Sequence, residues 1–462
     1  MNIFSEQETI IAPITSTIGG SVSMLRISGK RAVEIASPFF EPFDLRNAEG
    51  GRFFYGRIVD EKNNRIDDVV ILIFRAPHSF TGEDVVEISC HANPIIVKNI
   101  IQLFLRHGCR SAEPGEFSKR AFLNGKIDLT QAEAIADLIA AKSERAIRNS
   151  LSMMEGSLSR ELKQIRTDLV ELAGLLELDL DFNEEGLEII PGEKLLQKIE
   201  VSIEKITRLI ESYRYGKELQ KGVEILITGR PNVGKSSLMN ALLGKERVIV
   251  SQSPGTTRDV IHEDVMVDDV LMRFIDSAGI RMTDDIVESA GIEMARNFFD
   301  KATVILLLID LSEQPMREDN NLIQTVSSVY RDKVIVVGNK ADKPINEKSR
   351  RLYEGLKFEK IKVSCKKNTN ITLLKKKIRN KILKAPKTLK EEIIITNERQ
   401  YENLYKAKES LRRVKKAAEQ GVGYEFLAID MRSAIDYIGQ ISGAITTDDI
   451  LNAIFSRFCI GK

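Results

Sequence analysis

Residues Gly229 to Ser236 read Gly-Arg-Pro-Asn-Val-Gly-Lys-Ser, the spacing G-x-x-x-x-G-K-[ST]; they follow the apolar run Val223 to Thr228 and open a helical one. In that setting the chemistry is phosphate binding. Glycines let backbone N–H groups approach an anion closely, and the N-terminus of the following helix adds a favourable dipole. Lys235 is placed to reach β- and γ-phosphates, and Ser236 to ligate magnesium. Asn232, Val233, Gly234 and Ser237 complete the nucleotide-binding loop.

Further signals follow in order. Asp276-Ser277-Ala278-Gly279 ends a strand-like run. Asp276 can hold the magnesium through water, and the Gly279 N–H can sense a γ-phosphate. Asn339-Lys340-Ala341-Asp342 follows the run VIVVG. The Asp342 carboxylate can accept from guanine N1–H and the exocyclic amine, a donor pair that adenine lacks. Asn339 would brace this loop and Lys340 would pack over the base. Ser364-Cys365-Lys366, after IKV, would complete the base pocket. Gly255-Thr256-Thr257 lies where a second magnesium ligand is needed, and Thr257 is the candidate. Together these point to a guanine nucleotide. The residue after Gly279 is Ile280, which cannot orient an attacking water as a glutamine would. The nearby carboxylates Asp284, Asp285 and Glu288 are the alternatives, and spacing does not choose among them.

Three textures position these motifs. Residues 1–120 mix strand-like runs (Ser21 to Ser28, Asp68 to Ala76, Asp84 to Ser89) with a helical segment, Ile95 to Gly108. They read as an N-terminal α+β domain. Residues 121–215 are helical, with apolar residues at three- and four-residue spacing and a break at Pro191-Gly192. Residues 216–386 alternate strand and helix, the pattern of an α/β domain with a mostly parallel sheet. Residues 387–462 are helical again. The expected architecture is therefore α/β multidomain: a P-loop GTPase domain inserted into an all-α helical domain, preceded by the α+β domain.

Composition bounds the partners. At 462 residues the chain has room for about three domains. With 43% hydrophobic and 29% charged residues it can build cores. Lys+Arg is 68 and Asp+Glu is 67, which excludes a uniformly basic nucleic-acid coat and leaves RNA contact to local patches. The four cysteines form no Cys-x-x-Cys pair and there are four histidines, so a zinc site or disulfide framework is not expected. No basic stretch followed by an apolar run opens the chain, and the apolar runs are too short to span a bilayer. A cytoplasmic protein without membrane contact is expected.

Beside the nucleotide motifs stand four further blocks: LRISG (Leu25 to Gly29), SFTGEDVVE (Ser79 to Glu87), PGEFSKRAFLNGKIDLTQAEAIADLI (Pro114 to Ile139) and the terminal CIGK (Cys459 to Lys462). With them, essentially the whole chain resembles the MnmE (TrmE) family of tRNA-modifying GTPases. The resemblance implies a homodimer whose N-terminal domain binds a tetrahydrofolate derivative, 5-formyl- or methylene-tetrahydrofolate. It implies action with the FAD-containing partner MnmG (GidA) on C5 of the wobble uridine of certain tRNAs, installing a carboxymethylaminomethyl or aminomethyl group. Arg26, Glu87, Lys126 and Lys462 fall where that family holds the folate. Asn232, Ser251, Ser253 and Thr256 fall on its potassium ligands, in a nucleotide-binding loop that also holds Gln252 and Pro254. Its water-activating glutamate falls on Glu288. Ser277, Gln252, Pro254 and the stretch His91-Ala92-Asn93-Pro94 depart from the common family pattern.

Two features have competing readings. Cys459 is a candidate nucleophile for a uridine base, or a small apolar residue on a docked tail. Lys357 to Lys390 holds 13 Lys/Arg and one acid, Glu359, which suits either RNA phosphates or a solvated helix face. The alternative to an enzyme of tRNA modification is a GTP-gated RNA-binding or ribosome-assembly factor. A third reading makes the N-terminal domain a folate-dependent transferase in its own right.

Overall fold

Alternating burial along the strand Arg65–Phe74 shows how the first sheet is made: every second side chain faces the core. The computed structural model describes residues 8–15, 20–182, 192–244, 262–267, 270–276, 298–382, 393–456 and 458–461. The chain divides into two compact units, Met1–Ala136 with Ser152–Ile203 and Lys406–Lys462, and Asp137–Leu151 with Glu204–Tyr405.

In the first unit, β1 (Thr9–Pro13), β2 (Val22–Ser28), α1 (Ala32–Ala36), β3 (Phe40–Glu41), β4 (Arg52–Val59), β5 (Arg65–Phe74), β6 (Val85–His91), α2 (Pro94–Arg106), β7 (Cys109–Ser111) and α3 (Glu116–Leu123) follow in order. The strands form one sheet in the order β3-β4-β5-β6-β2-β1-β7. Neighbours are antiparallel except β1 and β7. Val33, Ile35, Val97, Ile100 and Phe104 from α1 and α2 join Ile27, Ile71 and Ile88 of the sheet in one core. The departure at His91–Pro94 has a structural use. Asn93 caps α2 by accepting from the Ile95 N–H, Pro94 takes the first turn, and His91 Nδ1 lies 2.8 Å from Asp67 Oδ1.

Helices follow: α4 (Leu129–Ala140), α5 (Glu144–Met154), α6 (Ser157–Phe182) and α7 (Gly192–Lys221). The helical texture from Leu129 to Phe182 is thus three helices, α4, α5 and α6. Ser143 Oγ accepts from the Ala146 N–H to start α5, and Gly156, at φ +80°, turns the chain between α5 and α6.

The α/β domain then runs β8 (Val223–Thr228), α8 (Lys235–Leu243), β9 (His262–Val267), β10 (Val270–Asp276), β11 (Val304–Asp310), α9 (Arg317–Val329), β12 (Val334–Asn339), α10 (Glu347–Gly355), β13 (Glu359–Lys362) and α11 (Ile371–Ile382). Its strand order is β13-β12-β11-β8-β10-β9, parallel except for β9 against β10. β11 and β12 are buried along their whole length, as central parallel strands must be. The chain closes with α12 (Glu398–Glu419), α13 (Tyr424–Ser442) and α14 (Asp448–Phe455). No helix of the described residues is long and apolar enough to cross a membrane.

A buried ionic cluster fixes the start of α3. Glu116, 3% exposed, takes Arg110 in a fork at 2.9 and 2.6 Å and Arg120 at 2.9 Å. Arg120 also reaches Glu83. Burial alone would push the Glu116 carboxyl up; Arg110, the Glu113 N–H and Arg120 outweigh it and hold it below the usual range. Glu116→Gln should therefore cost about 3–5 kcal/mol at neutral pH in a denaturant melt, because two guanidinium groups lose their shared anion. The contribution is complete above the unfolded value of about 4.3 and is lost as pH falls through the lower folded value. The gap between native and variant proteins should narrow on acidification. A gap that stays constant down to about pH 3 would contradict the assignment.

Candidate nucleotide-binding site

β8 lies where the strand order reverses, with β11 on one side and β10 on the other. A loop leaving the carboxyl end of such a strand opens into a crevice suited to a ligand. The loop from Gly229 occupies this place. Asn232 is left-handed, φ +61°, and Gly234, φ +101°, caps α8. A Cβ at Gly234 would overlap the Asn339 side-chain amide, so glycine is required there. Lys235 stands at the first position of α8, and its Nζ donates to the carbonyls of Gly229 and Arg230 at 2.9 and 3.1 Å. Ser236 and Ser237, both exposed, follow on the first turn.

The loop after β12 comes to meet it. Asn339 Nδ2 donates to the Val233 carbonyl at 2.9 Å, and the half-buried Cys365 thiol lies 3.2 Å from Asn339 Oδ1. Burial pushes that thiol up to about 11. Lys340, also left-handed at φ +61°, donates to the Asn232 carbonyl at 3.2 Å. Ser364 Oγ donates to Asp342 Oδ1 at 2.6 Å and holds the carboxyl below its ordinary range. A half-buried, ionised carboxylate oriented by one hydroxyl can accept from a paired N–H edge of a base. The backbone of Asp276 ends β10 opposite Ile227 of β8, two residues short of the phosphate loop. Ser251, Gln252, Ser253, Pro254, Gly255, Thr256, Thr257, Ser277, Ala278, Gly279, Ile280, Asp284, Asp285 and Glu288 lie outside the described residues, as does Lys462.

Sequence reasoning passed over one group. Arg230, inside the loop, is buried among Glu313 (2.7 Å), Asp319 (3.4 Å) and Asp310 (3.8 Å). Asp310 also takes the Lys340 ammonium at 2.5 Å and the Ser312 N–H and hydroxyl at 2.9 and 2.7 Å. Burial would raise the Asp310 carboxyl, but Lys340 and Ser312 bring it below the usual value. The available signal was a cation in a phosphate loop together with an aspartate ending a fully apolar strand.

In the other unit, Arg26 and Glu87 are register partners across β2 and β6 and pair at 2.8 Å. The Arg26 guanidinium lies 5.1 Å from the Phe80 ring centre and 5.4 Å from that of Phe117. Lys126 donates to the Pro77 carbonyl at 2.9 Å. The C-terminal tail is docked. Phe458 packs with Leu129, Leu451 and Phe455, the Cys459 carbonyl accepts from the Gly115 N–H at 3.4 Å, and the Cys459 thiol is exposed. Of the basic segment, Lys360 donates to three carbonyls at the end of α10, and Lys377 and Lys381 pair with Glu359. Part of that charge is therefore spent inside the domain.

The Asn339 bridge is testable by itself. Asn339→Ala should cost about 1–3 kcal/mol in urea unfolding, since the Val233 carbonyl loses its donor in a buried site. An unchanged midpoint would mean the two loops hold together without it.

Two family descriptions match the chain: "GTP-binding protein TrmE N-terminus" over residues 9–126 and "MnmE helical domain" over residues 129–459. A tRNA modification GTPase MnmE from Aquifex aeolicus is 41% identical over 459 residues, covering 99% of this chain and 100% of that protein. One from Chlorobium phaeobacteroides is 40% identical over 461 residues, covering 98% and 97%. Among solved structures, the G domain of the T. maritima FeoB iron transporter aligns at 22% identity with a TM-score of 0.26, covering 34% of this chain and 98% of that one. By full-length identity and by both domain matches, the chain belongs to the MnmE (TrmE) family of tRNA modification GTPases.

Proposed function

We propose that this chain binds GTP in the α/β domain and hydrolyses it with magnesium and potassium. With the FAD protein MnmG it would modify C5 of the wobble uridine of certain tRNAs, as a homodimer using a tetrahydrofolate-derived one-carbon unit. The observation that carries the nucleotide part is the meeting of two loops. Asn339 is bonded to Val233, Lys340 to Asn232, and Asp342 is oriented by Ser364 beside them. The rest is supported by membership of a family whose relatives are named for tRNA modification.

The residues derive their roles from position. The loop N–H groups and Lys235 would bind the β- and γ-phosphates, exchanging the lysine's present carbonyl partners for anionic oxygens. Asp342 would accept from the guanine edge, and Asn339 keeps its loop against the phosphate loop. Glu288 would take the proton from the attacking water. Ser236 and Thr257, with Asp276 through water, would hold magnesium, which neutralises charge on the phosphates. Asn232, Ser251, Ser253 and Thr256 would hold potassium, supplying the positive charge that an arginine finger supplies elsewhere. Asn232 suits this: it is exposed on the loop and offers a hard amide oxygen.

For the folate, Arg26 and Glu87 with Lys126 and Lys462 would supply the polar contacts. Both Arg26 contacts fall on Glu87 Oε1, so Oε2 is not consumed by them. The flanking Phe80 and Phe117 rings suit a planar heterocycle. Cys459, exposed on a docked tail, would be the nucleophile toward the uridine base.

GTP turnover should fall about tenfold or more when potassium is replaced by sodium. Glu288→Ala should lower it about a hundredfold or more in potassium. Equal rates in both salts, or full activity in the alanine variant, would remove this mechanism. Nucleoside analysis of tRNA from cells lacking the protein should show wobble uridines without the C5 group. Intact modified uridines would favour a GTP-gated RNA-binding factor instead.

A further inference from the structure

We propose that Asp310 is a positioning residue for guanine-nucleotide retention: it holds the Lys340 ammonium against the phosphate loop, while Arg230 ties the same carboxylate to that loop. This rests on the guanine-nucleotide reading above. Three side chains of the cluster, Arg230, Asp310 and Asp319, are 5%, 1% and 4% exposed, so their charges must be matched within the protein. Arg230 and Lys340 supply two cations against the buried Asp310 and Asp319, with Glu313 at the rim.

The geometry gives Asp310 a directional task. It ends β11 in register with Asn339, the last residue of β12, so its backbone is set by the sheet. The Ser312 N–H and hydroxyl both fix Oδ1, while Oδ2 faces the Lys340 ammonium at 2.5 Å. Lys340 in turn donates to Asn232, and both residues are left-handed, a conformation that non-glycine residues hold only when neighbours over-determine it. Asp310 thus acts through Lys340 and never needs to touch the nucleotide.

The test is the dissociation of a fluorescent GDP analogue from the full-length protein, followed after chasing with excess GDP. Asp310→Asn keeps the shape and removes the charge. It should speed dissociation about tenfold or more, the size expected for losing a largely buried ion pair. In a Lys340→Met background the same change should add less than about twofold, because the relay is already cut. Asp319→Asn, which touches Arg230 but not Lys340, should lower the melting temperature and show the same effect on dissociation in both backgrounds. Should Asp310→Asn fail to fold, Ser312→Ala loosens the same carboxylate mildly. It should speed dissociation about twofold to fivefold, only when Lys340 is present. A full Asp310→Asn or Ser312→Ala effect in the Lys340→Met background would overturn the proposal. So would an unchanged dissociation rate in a folded single variant. A native protein that binds no GDP analogue at all would instead overturn the nucleotide reading itself.

Discussion

The amide of Asn339 bonded to the Val233 carbonyl is the contact on which the nucleotide site depends. It joins the end of β12 to the turn between β8 and α8, elements whose linking residues are more than a hundred positions apart. The approach is close enough that position 234 must lack a side chain. The glycine of the phosphate loop therefore has two uses. It frees the backbone to face an anion, and it leaves room for the base-side loop to grip the phosphate-side loop. Lys340 repeats the grip one residue on, from a left-handed backbone that the contact helps to hold. Two loops that would each cost conformational entropy to order are held against one another by these contacts.

A similar solution recurs at the root of the same domain. The return segment Ile394 to Thr396 belongs to no helix or strand, so its polar groups need side-chain partners. Asn149 takes both backbone groups of Ile394, at 3.1 and 3.3 Å, and Ser212 accepts the Ile395 N–H at 3.0 Å. Thr396 and Gln220 converge on Asp137, whose carboxyl burial pushes above its usual value. A Cβ at Gly216 would overlap the Ile395 carbonyl, so the helix and the segment also touch directly. Ala146, Tyr215, Leu219 and Ile394 close the apolar side. Chain entering the α/β domain and chain leaving it are fastened to the same few residues of α4, α5 and α7.

Legibility followed sequence distance. The phosphate loop could be read because strand, turn and helix signals lie within some twenty residues, and Gly234 and Lys235 occupy the positions their spacing implied. The overall architecture was legible for the same reason, since β8, β11 and β12 are apolar runs flanked by helices. β4 was not singled out: Phe53 and Tyr55 are among its exposed residues, so its pattern gives no clean apolar face. The helix breaks at Ser143 and Gly156 were hidden by continuous three- and four-residue periodicity, although each carries its own local cause. Arg230, Asp310 and Asp319 were missed because no periodicity marks an ion cluster whose members are separated by some eighty residues. The Arg26–Glu87 pair, 61 residues apart, emerges only once β2 and β6 are in register.

The connection into the domain lies between these two fastenings along the chain. Helix α7 ends at Lys221 and β8 begins at Val223, which leaves Gly222, at φ +79°, as the whole joint. The Leu271 side chain sits where a Cβ on that glycine would go, so the joint is packed as well as short. A one-residue connection carries none of the slack of a flexible linker. β8 in turn is hydrogen-bonded on both sides, to β10 and β11, and runs from this joint straight into the phosphate loop. The strand that feeds the phosphate loop therefore begins one residue beyond the end of α7, the same helix end that carries Ser212, Gly216 and Gln220 of the root. The polar contacts at Asp137, Asn149 and Ser212 fasten the returning segment Ile394 to Thr396 to α4, α5 and α7, so both ends of the domain are held by short, polar-satisfied connections.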